Sequence, residues 1–211
     1  MSKDYVSPAG LVYLFGDFFA SKSVIGGFSV PCASSKVKHS DLANAMFMAT
    51  MVSMTKEGLI DIFISERKGF LGRKIEDVYV ALKTNTPPKG RSYLERRIYA
   101  ELKRGGKSSV YNIVRSTLGR NYPDPWKVVV STVENTLIKQ GLLKSIKKFF
   151  KTKIEPNCNE ILKYRDKASK LKSTLDEWHL KNPELYKKLW RNIDSGFSSR
   201  IETQDIEVGD F

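Results

Sequence analysis

The chain has little that would let it span a bilayer, hold a metal or run a reaction. About 18 consecutive apolar residues are needed to cross a membrane. The apolar stretch at residues 9–20 (AGLVYLFGDFFA) is shorter, and Asp17 interrupts it. No basic segment precedes it, so it reads as a buried N-terminal helix and not as a secretory signal. Cysteine is scarce. Cys32 and Cys158 are the only two, with no CxxC and no Cys/His cluster, which excludes a structural zinc site of the usual spacing. Their spacing does not reveal whether they pair. A chain of this size with two cysteines is expected in a reducing compartment, each acting as a small buried hydrophobe. The two histidines, His39 and His179, are far apart and stand in no motif with acids. HExxH, GxSxG and Walker-type GxxxxGK[ST] patterns are all absent. The GGKS at 105–108 lacks the upstream glycine and preceding strand of a phosphate loop, so it reads as a helix stop. No pair of carboxylates stands out for acid–base work. The expectation is a chain that is not an enzyme and carries no cofactor and no metal.

Acids are also in deficit. Twenty-three Asp and Glu face 36 Lys and Arg, a net charge of +13. The charged fraction, 28%, and the hydrophobic fraction, 41%, are those of a folded chain able to bury a core. The excess of cations therefore points to a partner, either a polyanion or an anionic membrane.

Hydrophobic periodicity and helix signals predict a mostly α fold with short β-hairpins. Residues 7–20 read as a helix on the core. Residues 21–38 (SKSVIGGFSVPCASSKVK) read as a long loop, the kind that tends to carry function. Ser40-Asp41 is the expected start of a helix that is apolar on nearly every face and therefore central. Its Met46, Met48, Met51 and Met54 are expected as core filler. Gly58 ends it, and residues 59–65 alternate with period two into a hairpin whose basic tip holds Arg67, Lys68, Arg73 and Lys74 around Phe70-Leu71. A linker at 84–91 precedes an amphipathic helix with Leu94, Ile98 and Leu102 on one face. A short helix ending at Gly119 follows. Asp124-Pro125-Trp126 is an N-cap followed by proline at the first helical position. That helix runs to Gln140, and Gly141 leads into a basic extended segment. There Lys144, Lys147, Lys148, Lys151 and Lys153 are interleaved with Ile146, Phe149 and Phe150. Two further helices and an acidic tail, 202–211, complete the chain. The expected organisation is a main helical domain over 1–156, with a division at 84–91 as the alternative, then C-terminal helices over 157–201 and the tail.

Helix, glycine turn and basic hairpin occur twice, at Gly58 and at Gly141. That is how a winged helix ends, so a tandem winged-helix nucleic-acid binder is one reading of the pattern.

The same residues resemble the Golgi phosphoprotein family over about residues 9–160. Leu11-Val12-Tyr13-Leu14-Phe15 looks like that family's opening leucine-rich helix, and Gly58-Leu59-Ile60-Asp61-Ile62 like its central helix running into a glycine-led strand. The basic hairpin and Thr86-Pro87-Pro88-Lys89-Gly90 fall where the family has a hairpin and a Pro/Gly linker. Asn112-Ile113-Val114 through Gly119 looks like its short helix. Leu137 through Leu143 is similar to its Leu-Val-x-x-Gly-Val-Leu stretch. The resemblance implies a cytoplasmic, peripherally membrane-associated adaptor that binds phosphoinositide headgroups, with protein cargo or a second copy of itself as further partners. The family's pocket has a Trp in the early loop and arginines on two helices. Here the early loop has no Trp, and Lys36, Lys38, Trp126 and Lys127 are the candidate headgroup or anion site. Lysines do not reproduce the bidentate phosphate geometry of arginine.

Overall fold

The computed structural model describes residues 5–68, 74–84, 92–148 and 151–201. Several expected features fall outside them: Phe70, Leu71 and Arg73 of the first hairpin tip, most of the linker (85–91), Phe149 and Phe150, and the acidic tail.

Eight helices and three small antiparallel sheets are seen among the described residues. The expected mostly helical class with short hairpins is what forms. α1 (Pro8–Leu14) starts on the Ser7 hydroxyl, which accepts the Gly10 N–H at 3.1 Å, and is followed by a 3-10 turn at Gly16–Phe18. β1 (Phe28–Ser29) and β2 (Lys36–Val37) pair inside the loop region. α2 (His39–Lys56) is the central element. It is buried from Leu42 through Val52 and again at Met54, so that all four of its methionines are inside, and it packs against α1, α3 (Tyr93–Gly105), α5 (Pro125–Lys139), α7 (Arg165–Lys181) and α8 (Pro183–Ser198). Its start differs from expectation. The helix begins at His39, after Lys38, and no side chain caps it, so Ser40-Asp41 lie in its first turn.

Gly58 adopts φ 70° and Gly141 φ 79°, the left-handed conformation that lets a helix stop and reverse into a strand without a Cβ penalty. The first reversal feeds β3 (Ile60–Lys68) and β4 (Lys74–Leu82), the second β6 (Leu143–Lys148) and β7 (Lys151–Pro156). β5 (Lys107–Ser109) was not legible as a strand. It pairs with Tyr79, Val80 and Ala81 of β4 directly after Gly106 ends α3. Ser109 then caps α4 (Val110–Leu118). The Asp124 cap of α5 forms as expected, its carboxylate accepting the Lys127 N–H at 3.0 Å. The C-terminal stretch is three helices where two were expected. α6 (Cys158–Leu162) is separated from α7 near Tyr164, and α8 runs five residues beyond Ile193. Ile161, Leu171, Leu189, Ile193 and Phe197 belong to the same buried cluster as α1 and α2, so the C-terminal helices share the main core.

The cysteines require a correction. They are not two separate buried thiols. Cys32 and Cys158 form a disulfide across 126 residues of chain, with their Cα atoms 5.6 Å apart. The bond ties the early loop to the start of α6, and Cys32 takes a left-handed φ of 57° to reach it.

Candidate anion-binding surface

The early loop is a built structure. Ser23 N–H donates to the Lys36 carbonyl at 2.9 Å, Lys38 N–H to the Ser21 carbonyl at 3.0 Å, and Lys22 bridges to Val37. Lys22, Lys36 and Lys38 are all exposed, and these backbone contacts hold their segments side by side in the loop. The Ser23 hydroxyl donates to the Ile25 carbonyl at 3.1 Å, and Gly26 and Gly27 turn the chain with φ of 70° and 89°. The turn leaves Val24 98% and Ile25 90% exposed. A pair of aliphatic side chains held almost wholly in water is unusual on a folded surface unless something covers it.

Phe28 of the same loop faces inward. It is 9% exposed and meets the Tyr13 ring edge-on at 4.7 Å. Tyr13 in turn donates a hydroxyl hydrogen bond to Glu134 of α5, and burial with that neighbouring carboxylate pushes the phenol pKa up. Phe28 thus fastens the loop to the core, and Val24-Ile25 is its exposed tip. The signal was present in the sequence: an aliphatic pair directly before Gly-Gly, among lysines.

The proposed headgroup residues are brought together in part. Lys36 lies on β2 and Lys38 immediately before α2. Lys127 sits in the first turn of α5, near enough to His39, the first residue of α2, for its charge to act there. Burial lowers the His39 pKa, Lys127 lowers it further, and Asp124 opposes them. His39, at the start of α2, thus has the charges at the start of α5 as its electrostatic neighbours. Lys127 is not a free cation, since it pairs with Asp124 at 3.0 Å. Trp126 packs inward. Its ring stacks on Phe197 at 5.8 Å, and its indole Nε1 is shielded with no acceptor among the described residues.

The other basic groups lie on the hairpins. Arg67 pairs in register with Ile75, and Lys68 with Lys74, at the far end of β3–β4. Lys148 pairs in register with Lys151 at the far end of β6–β7. Lys144 and Lys147 are exposed along β6. Lys153 is partly neutralised by Glu155 at 3.3 Å.

A further cleft of about 600 Å³ opens at the α7–α8 junction, lined by Phe19, His179, Tyr186, Lys187, Trp190 and Arg191 among others. No sequence motif marked it, because its aromatics come from three separate elements. Among the described residues, no group of three or more His, Cys, Asp or Glu is placed to hold a metal, and no helix is long and apolar enough to cross a membrane. No family model, curated protein or solved structure matches the chain.

Proposed function

We propose that this protein docks reversibly on anionic membranes, binds phosphorylated lipid headgroups of the phosphoinositide class, and acts there as an adaptor of the kind found among Golgi phosphoproteins. The observation that carries the reading is the Val24-Ile25 tip, almost fully exposed and flanked by Lys22, Lys36 and Lys38. Burying an aliphatic side chain gains about 2 kcal/mol. Each Lys or Arg held near an anionic leaflet adds about 1 kcal/mol. Two aliphatics and a few lysines together support reversible binding, short of permanent insertion. The loop is prebuilt by its hairpin, its glycine turn and the disulfide, so little ordering entropy opposes insertion.

A nucleic-acid reading is favoured by one observation, the α7–α8 cleft. Its aromatic rings and its Lys187 and Arg191 are the ingredients of a base-stacking, backbone-neutralising platform. The winged-helix form of that reading has less support. α2, one of its two recognition helices, is buried along its length, and only Lys56 at its end is fully exposed.

Co-sedimentation with vesicles, with and without phosphatidylinositol 4-phosphate, tests the proposal when run beside duplex DNA and RNA competitors at two salt concentrations. Phosphoinositide-dependent pelleting that nucleic acid does not displace is the expected result. Salt-sensitive nucleic-acid binding with no vesicle binding would overturn it.

A further inference from the structure

We infer a second anion site, remote in sequence from the loop, that takes a phosphate group: the arginine cleft where the ends of α4 and α8 meet the segment leading into α5. The cleft has a volume of about 530 Å³ and is lined by Arg120, Asn121, Tyr122, Pro123 and Arg200. It is a fixed structure. Tyr122 N–H donates to the Arg200 carbonyl at 2.8 Å, and Tyr122 bridges to Ile201. The Arg200 guanidinium is oriented by two long hydrogen bonds, to the Asn121 side-chain oxygen and the Arg115 carbonyl, each 3.3 Å. Arg120 lies over the Tyr122 ring at 5.0 Å, and Arg115, behind the cleft, over Tyr111 at 5.3 Å.

Arg120 and Arg200 thus line the cleft with Arg115 tied to it through its carbonyl, and among the described residues none of the three forms a salt bridge. Asp124, four residues from Arg120, is engaged by Lys127 and by the cap of α5, and Glu202, two residues from Arg200, lies outside the described residues. The Nε of Arg115 and of Arg200 are shielded and have no acceptor among the described residues. Like charges held together without a counter-ion repel, and the cost grows with shielding from water. Capping of α4 accounts for only part of this. Arg200 does reach the Arg115 carbonyl, but that carbonyl already accepts the Gly119 N–H at 3.0 Å, and capping gives no role to Arg120. A doubly charged, multi-oxygen anion offers acceptors to several guanidinium forks at once, which a single carboxylate does not. A lipid headgroup and a soluble phosphate ester share that chemistry. The inference stands or falls independently of the Val24-Ile25 loop.

The test is calorimetric titration of the full chain with inorganic phosphate and with soluble inositol 4-phosphate. Saturable binding is expected, weakened about tenfold by Arg120→Gln or Arg200→Gln and unchanged by Lys170→Gln, which removes an equal charge from α7. Arg120 is exposed and among the described residues its side chain rests on Tyr122, so Arg120→Gln retains the fold and carries the result even if Arg200→Gln unfolds. Repeating the Arg120→Gln comparison on phosphatidylinositol 4-phosphate vesicles separates the sources. A matching loss there supports a lipid headgroup as the ligand, and a loss confined to the soluble probes supports a soluble phosphate. The inference is overturned by an absence of saturable heat or by equal weakening in Lys170→Gln. It is also overturned by binding that appears only after residues 202–211 are deleted, which would assign the cleft to the tail's own acids.

Discussion

Gly27 lies so close to Val37 that a Cβ added to it would stand 2.6 Å from the Val37 carbonyl oxygen. Its φ of 89° is a second reason that only glycine fits. The obstructing atom is backbone of β2, which cannot step aside as a flexible side chain would. Gly27→Ala is therefore expected to open the turn behind Val24-Ile25 at a local cost of about 1–3 kcal/mol. Vesicle affinity should fall several-fold while helical circular dichroism is retained. Gly26→Ala meets nothing within 4 Å but shares the positive φ, so it should lose less.

Reduction of the Cys32–Cys158 bond releases a closed loop of more than a hundred residues in the unfolded chain. A loss of about 2–4 kcal/mol in denaturant stability is expected. Proteolysis should rise first within residues 21–38, the segment the bond pins. The bond also reports compartment. Structural disulfides persist where the environment is oxidising, so thiol labelling of the protein in unbroken cells should leave both cysteines unmodified if the pair is formed there. Full labelling would mean the bond forms only outside them.

His39 gives a pH dependence of defined sign. It is packed at the start of α2 with the Phe28 ring 6.1 Å away, with Lys127 and Asp124 as its charged neighbours. Its folded pKa is depressed, first by burial and then by Lys127. The unfolded chain therefore takes up a proton more readily than the folded one. The associated stability is present above the ordinary histidine pKa and is lost as pH falls through the folded value. Lys127→Gln should raise the His39 pKa in an NMR titration, and His39→Gln should flatten this part of the pH–stability curve.

At Gly196, α8 packs directly against α4. A Cβ there would lie 2.7 Å from the Val114 Cβ and 3.1 Å from the Tyr111 carbonyl oxygen. Gly196→Ala should therefore destabilise by about 1–3 kcal/mol, although alanine is the better helix former. Gly105→Ala, at the end of α3 with open space around it, should be neutral or slightly stabilising in the same melt.

The helices were legible because their signals are local: the Asp124-Pro125 cap, the glycines at 58, 119 and 141, and the all-round apolar face of α2. β5 was not, since three residues that pair only with β4 carry no periodicity of their own. The disulfide was hidden for the same reason, being a contact across 126 residues. Lys38 and Lys127 were legible as residues at helix starts, while the pairing of Lys127 with Asp124 was not. Whether Phe28 or Val24-Ile25 faces water depends on the edge-on contact with Tyr13, which no spacing announces. Arg115, Arg120 and Arg200 escaped notice because 85 residues separate the first from the last.

The central claim is that the early loop seats the protein on an anionic bilayer, and the most direct test is the vesicle affinity of the Val24→Asp, Ile25→Asp double variant. Both side chains are already in water, so the substitutions leave the core untouched and the melting temperature should hold. The account predicts a loss of about a hundredfold or more on phosphatidylinositol 4-phosphate vesicles. Unchanged affinity in a folded double variant would contradict it.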